Sequence, residues 1–119
     1  MYDVIALGEL LIDFTTQASD PDGYPTMAAH PGGAPANFLA AIAKYGGKAG
    51  MLGKIGTDTF GRLLTNTLRQ AGIETKGLVA TDDFFTTLAF VTLDANGDRE
   101  FAFARKPGAD TQLTFDELD

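Results

Sequence analysis

Residues 31–37 read Pro-Gly-Gly-Ala-Pro-Ala-Asn, and this stretch turns the chain from an extended segment into a predicted helix. Pro35 fits the first helical position, where the missing N–H of proline costs no hydrogen bond. The next large apolar residues recur at helical spacing and predict one face of this helix. They are Phe38, Ile42 and Tyr45. The pair Gly46-Gly47 predicts a left-handed cap that ends the helix.

Short apolar runs on either side of this helix predict strands. The runs are Val4 to Leu7, which we expect to be a buried parallel strand, Leu10 to Phe14, and Ala49 to Ile55. Thr57 or Asp58 can cap a second helix, for which Gly72 is the predicted C-terminal cap. Its predicted buried face consists of Phe60, Leu64, Leu68 and Ala71.

The apolar period changes from helical to alternating in the last third of the chain. Leu88 to Leu93 and a strand carrying Phe101 and Phe103 predict a hairpin, and residues 94–98 carry its turn signal. Residues 113–119 predict the start of a helix or a connector. This order of elements predicts an α/β fold that is incomplete, because two helices cover too little of a parallel sheet.

Composition excludes several classes of function. The 119 residues include 9 basic and 16 acidic ones, and the net charge of −7 disfavours a nucleic-acid partner. With no cysteine and one histidine, His30, the chain can form neither a thiolate nor a histidine metal cluster. No run approaches the roughly 20 apolar residues of a membrane span, and the N-terminus lacks the basic region of a signal peptide. We therefore predict a cytoplasmic protein without nucleic-acid or membrane partners.

Positions around the glycine turn suit recognition of a polyhydroxylated ligand. Asp13 ends an apolar strand, where its carboxylate can accept hydrogen bonds from two adjacent hydroxyls. Alternatively, Asp13 caps a turn or faces solvent. Gly32 and Gly33 let the backbone approach a ligand, and Asn37 offers both a donor and an acceptor. An ordinary turn before a helix explains these last three residues equally well.

Arg105 ends the second hairpin strand on the side that carries Phe101 and Phe103. It can close over substrate oxygens, or it can be a solvated charge at a strand end. The sequence has no Walker A motif. Residues 46–50, Gly-Gly-Lys-Ala-Gly, do not open a helix after a strand, so they do not form a dinucleotide fingerprint either.

Taken together, these motifs resemble the pfkB carbohydrate kinases, the ribokinase-like family. The turn and helix start, followed by Gly46 and Gly56, have the spacing of that family's N-terminal signature. Ala34 stands where ribokinase has lysine, as in fructokinases, which favours a ketohexose over ribose. Leu39 departs from the signature, which usually has a small residue there. The resembling segments are residues 6–13, 32–37, 53–61 and 103–110.

The resemblance implies a ribokinase-like three-layer α/β/α sandwich, present here as an N-terminal part over residues 1–119, with a small β-sheet lid over the sugar. It implies that ATP, with Mg²⁺, phosphorylates a sugar hydroxyl, and that the lid forms a homodimer interface. The implied lid strands lie around residues 12–16, 25–30, 86–93 and 99–105. The implied sugar-binding residues are Asp13, Gly32, Gly33 and Asn37, joined from the lid by Phe103 and Arg105.

The family's second signature, which resembles Asp-Thr-x-Gly-Ala-Gly-Asp and supplies the catalytic base and the anion hole, has no counterpart in this sequence. Residues 108–110, Gly-Ala-Asp, lack its leading Asp-Thr and are interpreted as a connector. Members of the family are also more than twice this length. We therefore expect no catalytic residue in the chain, no C-terminal ATP-binding part, and no measurable kinase activity from the 119 residues alone.

Two alternatives to a fructokinase remain at this point. A 2-keto-3-deoxygluconate kinase has a similar lid and turn. A non-catalytic module that dimerises through its sheet is the other alternative, because several phenylalanines suit a buried interface or the packing of a missing half. They are Phe84, Phe85, Phe90, Phe101 and Phe103.

Overall fold

The computed structural model describes residues 1–118 and contains two four-stranded sheets and two α-helices. Residue 119, the end of the predicted tail, lies outside the described residues. In chain order the elements are β1 (Val4–Leu7), β2 (Leu11–Thr16), β3 (Met27–Gly32), α1 (Ala34–Lys44), β4 (Ala49–Gly56), α2 (Thr59–Gln70), β5 (Ile73–Glu74), β6 (Leu78–Thr81), β7 (Thr87–Leu93), β8 (Arg99–Ala104) and the 3₁₀ turns η1 (Ala109–Thr111) and η2 (Phe115–Glu117).

The first sheet is parallel and is centred on β4, which pairs with β1 on one side and with β5 and then β6 on the other. The parallel pairing of β1 predicted from its short apolar run is confirmed by the register Val4 opposite Ala49. Both helices pack against this sheet in a single core, whose fully buried members include Leu39 from α1, Met51 from β4 and Leu64 from α2.

One face of β1 does not have the burial that its apolar run predicted. Ile5 and Leu7 are 52% and 57% exposed, whereas Val4 and Ala6 pack against the core. The prediction of a buried strand is therefore wrong for half of its side chains, because both helices contribute to the core on the other side of this sheet.

Helix α1 begins at Ala34, so Pro35 occupies its second position rather than its first. The predicted left-handed cap is confirmed: Gly46 has φ 87°, its N–H donates to the Ala43 carbonyl, and the N–H of Gly47 donates to the Ile42 carbonyl. The predicted helix face is wrong for two of its three residues, because Phe38 and Tyr45 are 52% and 89% exposed, whereas Ile42 packs against the core. The face that packs on the core consists of Leu39 with Ala36, Ala40, Ile42 and Ala43.

Helix α2 shows which of the two predicted capping residues is used. Asp58 is the N-cap, and its Oδ1 accepts hydrogen bonds from the N–H groups of Phe60 (3.0 Å) and Gly61 (2.9 Å). Gly72 ends the helix at φ 79°, as predicted. Ala71, predicted to be buried, is exposed because it already lies in the cap.

The second sheet has the strand order β3-β2-β7-β8, in which β2 and β7 are parallel and the outer pairs are antiparallel. Its strands lie near the ranges 12–16, 25–30, 86–93 and 99–105, but β3 begins and ends two residues later than 25–30, and β8 ends at Ala104, one residue before Arg105. The predicted hairpin is confirmed by the pairing of Leu93 with Arg99. Phe14 stacks on Phe90 at 5.2 Å and meets Phe60 of α2 edge-on at 5.3 Å, so one face of this sheet rests on the second helix.

The last described residues cross β4 and are held there by a buried lysine. Lys54 Nζ donates to the Gln112 carbonyl at 3.1 Å and forms an ion pair of 2.6 Å with Glu117. The predicted helix start or connector is the turn η2, in which Thr114 and Glu117 form a capping box. None of the helices within residues 1–118 combines the length and apolar character that a bilayer crossing requires.

Lowering the pH is expected to break the contact between Lys54 and Glu117. The hydrogen bond from Lys54 and the backbone N–H of Thr114 hold the pKa of Glu117 below its ordinary value of 4.5. A lowered folded-state pKa gives stabilisation that is present above the ordinary value and is lost as the pH falls through the folded value. We expect the difference in urea unfolding free energy between wild type and Glu117→Gln to be largest near neutral pH and to vanish in acid. A difference that persists at acidic pH would contradict this account.

Candidate functional site

The second sheet places Asp13 directly beside the glycine turn. Asp13 lies on β2 and is paired with His30 of β3. His30 precedes Gly32 by two residues. Its carboxylate fills the space that a side chain at position 32 would need, since a β-carbon there would overlap Oδ2. Gly32 is therefore required for the carboxylate to lie along the turn, and the structure brings these two predicted site residues together.

Gly33 makes the turn itself possible. Its φ of 111° lies in the region that favours glycine, and a β-carbon would lie 2.6 Å from the Glu9 carbonyl oxygen. Its carbonyl accepts the N–H of Asn37 at 3.2 Å and starts α1. Glu9, which gives no signal in the sequence, thus forms one wall of the turn through its backbone.

One row of paired residues crosses the second sheet and defines one of its two faces. His30, Asp13, Ala89 and Phe103 are successive partners across the four strands, so their side chains share one face. Ala89, in the middle of this row, is small and only 1% exposed, so the side chains around it cover the sheet at this point. A cavity of about 530 Å³ opens on this face. Its lining includes Asp13, Thr15, His30, Val91, Arg99 and Phe101.

Aromatic and basic side chains border this face on β8. Phe101 and Phe103 stack at 6.4 Å, and the Arg105 guanidinium lies 4.1 Å from the centre of the Phe103 ring. The predicted common side of these three residues is confirmed. Phe101 and Phe103 are 56% and 43% exposed, so their rings are available to a ligand or a partner.

Asn37 does not share the cavity that Asp13 lines. It is exposed, and it borders a separate cavity of about 80 Å³ between α1 and α2. Pro31 and Gly32 also line that small cavity, so the turn separates the two spaces. The sugar-binding roles of Asp13 and Asn37 both stay predictions, and the two residues line different cavities.

The connection after β8 is fixed at the base of the second sheet. Asp110 accepts a hydrogen bond of 2.5 Å from the hydroxyl of Thr87, which is fully buried, and the Ala109 N–H donates to the Phe85 carbonyl at 2.9 Å. Gly108 passes so close that a β-carbon would overlap the Thr87 hydroxyl. Residues 108–110 are therefore a tight connector, which ties the chain to the start of β7 shortly after β8 has ended.

Within residues 1–118, no group of three or more acidic or histidine side chains is placed to hold a metal ion. A Mg²⁺ ion that is held mainly by water and nucleotide phosphates would not require such a group.

Comparison with known proteins adds three findings. Fructokinase-1 from Zea mays is 47% identical over 118 residues, which cover 98% of this chain and 36% of that protein. A crystal structure of fructokinase from Xylella fastidiosa has a TM-score of 0.92 at 38% identity and covers 98% of this chain and 36% of its own. A structure of fructokinase with bound ATP from Xylella fastidiosa has a TM-score of 0.89 at 38% identity, with coverage of 98% and 34%. The chain thus spans about a third of the length of these relatives.

A parallel sheet with two helices and a second four-stranded sheet beside a glycine turn defines a ribokinase-like α/β protein, in agreement with the predicted fold class. The family model described as pfkB family carbohydrate kinase matches residues 1–119. The chain therefore belongs to the pfkB family of carbohydrate kinases, as its motifs predicted.

Proposed function

We propose that this chain is the sugar-binding portion of a fructokinase-like kinase, and that the second sheet is the lid over the sugar. The observation that carries the proposal is the position of the Asp13 carboxylate, which lies along Gly32 and faces the cavity of the second sheet. A charged acceptor beside bare backbone can bind adjacent sugar hydroxyls. Phe103 and Arg105 lie at the opposite side of the same face and close over the sugar.

The proposed whole enzyme transfers the γ-phosphoryl group of ATP to a fructose hydroxyl in the cytoplasm. The base that receives the hydroxyl proton, ATP and Mg²⁺ are proposed to lie outside residues 1–118, since this part has neither the second signature nor a carboxylate cluster. The chain's own residues bind and orient the sugar. The 119 residues alone are accordingly expected to bind sugar without phosphorylating it.

Calorimetric titration tests the proposed substrate. We expect D-fructose to bind the 119-residue chain more tightly than 2-keto-3-deoxygluconate does. Equal or tighter binding of the keto-deoxy acid would favour the alternative kinase. Absence of binding by either compound would contradict the sugar-binding proposal.

Pairing of two copies through the lid is a further part of the proposal. All six residues of β8 are exposed, and Phe101, Phe103 and Leu93 (63% exposed) form an apolar margin along this edge of the sheet. Phe90, by contrast, stacks on Phe14 on the opposite face, so the phenylalanines predicted to form an interface serve different surfaces.

Replacing both exposed phenylalanines should separate the two copies. For Phe101→Ser combined with Phe103→Ser, we expect sedimentation to shift from a dimer to a monomer, because the central apolar contact is lost. Tyr24→Ser, which removes another exposed aromatic ring in the loop between β2 and β3, is the control and should leave the dimer intact. A monomeric wild type, or a double variant that still dimerises, would contradict this interface.

A further inference from the structure

Asp58 uses its two carboxylate oxygens on two different parts of the molecule. Oδ1 accepts the N–H groups at the start of α2. Oδ2 accepts both the backbone N–H of Thr86 (2.9 Å) and its hydroxyl (3.0 Å). Thr86 is 1% exposed and immediately precedes β7, a central strand of the second sheet. One side chain therefore joins the helix to the strand that enters the proposed lid.

The hydroxyl of Thr86 extends this connection to the first sheet. Besides donating to Asp58, it accepts the N–H of Gly56, the last residue of β4, at 3.0 Å. The end of β4, the start of α2 and the start of β7 thus meet at one buried threonine. Gly56 allows this approach, because a β-carbon there would lie 2.9 Å from the Thr86 nitrogen.

Aromatic contacts at the same end of α2 show that the second sheet rests on this junction. Phe60, in the first turn of α2, meets Phe14 of β2 edge-on at 5.3 Å and Phe85 at 6.2 Å. The edge-on rings supply apolar contact with a preferred geometry of their own, and the hydrogen bonds of Asp58 add directional links at the same place. The polar junction can therefore help to hold the sheet at one angle to the helix.

We propose that Asp58 is a positioning residue, which fixes the angle of the second sheet over the glycine turn by binding Thr86 and the α2 N-terminus at once. Its effect on sugar affinity rests on the proposed function, but its effect on the motion of the sheet does not. Burial opposes the charge of Asp58, yet hydrogen bonds from Thr86 and Gly61 outweigh it and lower the pKa of this carboxyl, so it stays ionised at neutral pH.

Three variants separate the sheet contact from the helix cap. Thr86→Val removes the hydroxyl and leaves the Asp58 cap in place, whereas Thr86→Ser retains the hydroxyl and should restore the wild-type contacts. Asp58→Ser keeps a capping oxygen for α2, since serine is a good N-cap, but its shorter side chain cannot also reach Thr86.

Amide hydrogen exchange of the 119-residue chain tests the proposal. In Thr86→Val and Asp58→Ser we expect exchange in β7 and β8 to accelerate about tenfold, with little change at Leu64 and Leu68 of α2. Thr86→Ser should match wild type. Unchanged exchange in β7 and β8, or equal acceleration in α2 and in the sheet, would overturn the role of Asp58. If Asp58→Ser does not fold, the comparison of Thr86→Val with Thr86→Ser decides.

Sugar affinity gives a second, separable result. Calorimetry should show fructose binding about tenfold weaker in Thr86→Val than in Thr86→Ser, because a looser sheet spends less time closed. Equal affinity in the two variants would overturn the link between the junction and the sugar. If wild type itself does not bind fructose, the proposed function fails, while the exchange rates still decide whether Asp58 positions the sheet.

Discussion

Asp13→Ala is expected to reduce fructose affinity at least about 100-fold, since it removes a charged acceptor of two hydroxyl hydrogen bonds, each contributing roughly 1.5–3 kcal/mol. The carboxylate lies beside Gly32 and lines the cavity of the second sheet. Within residues 1–118 the Asp13 side chain is not among those that hydrogen-bond other protein groups, so its oxygens remain available to water or to the proposed sugar. Calorimetric titration with D-fructose measures the loss.

Two variants accompany this measurement. Asp13→Asn retains the shape and one acceptor oxygen, and we expect an intermediate loss of about tenfold. Asp22→Ala, in the exposed loop between β2 and β3, removes the same net charge away from the cavity and should bind fructose like wild type. Urea unfolding of Asp13→Ala should stay within about 0.5 kcal/mol of wild type. Undiminished binding by folded Asp13→Ala would refute the assigned role.

The role of Asp13 also shows where sequence reasoning ends. The strand, the glycine turn and the carboxylate can each be identified from a few neighbouring residues. The sequence does not predict the row that joins His30, Asp13, Ala89 and Phe103. This row depends on the register between strands that are far apart in the chain. The sequence therefore identifies His30 only as a lone histidine, although it faces the same cavity as Asp13.

Helix α1 shows a different limit, since its spacing of large residues predicted the wrong face. Leu39 is fully buried, with Ala36 three positions before it and Ala43 four positions after it. Small side chains on that face let the helix approach the parallel sheet closely, and the larger Phe38 remains outside. Local periodicity identified the helix, but packing against the sheet selected the buried side.

The N-cap of α2 has one partner set that the sequence predicts and another that it does not. Asp58 could be predicted as a cap because serine, threonine and aspartate before an apolar helical pattern are typical helix starts. Its second partner, Thr86, is 28 residues away and gives no local signal. A polar residue with two acceptor oxygens can satisfy a local and a distant requirement at once, and only the folded structure reveals the distant one.

Gly61→Ala is expected to destabilise the protein, although alanine is the better helix former by about 1 kcal/mol. Gly61 lies in the first turn of α2 and is buried. A β-carbon there would overlap the carbonyl oxygen of Gly56 and lie 3.2 Å from the Thr86 hydroxyl. Backbone cannot rotate away as a flexible side chain can, so either the helix start or the end of β4 must move.

The expected net effect is a loss of ~1–2 kcal/mol in unfolding free energy, because overpacking against fixed backbone, at the upper end of about 1–3 kcal/mol, costs more than the roughly 1 kcal/mol that helix propensity returns. Urea unfolding followed by circular dichroism measures it. Asn66→Ala, at an exposed position of the same helix, is the matched control and should be neutral or slightly stabilising. Should Gly61→Ala prove as stable as Asn66→Ala, helix propensity would outweigh the backbone contact, and the close junction of α2 with β4 and Thr86 would not be what holds this part of the fold.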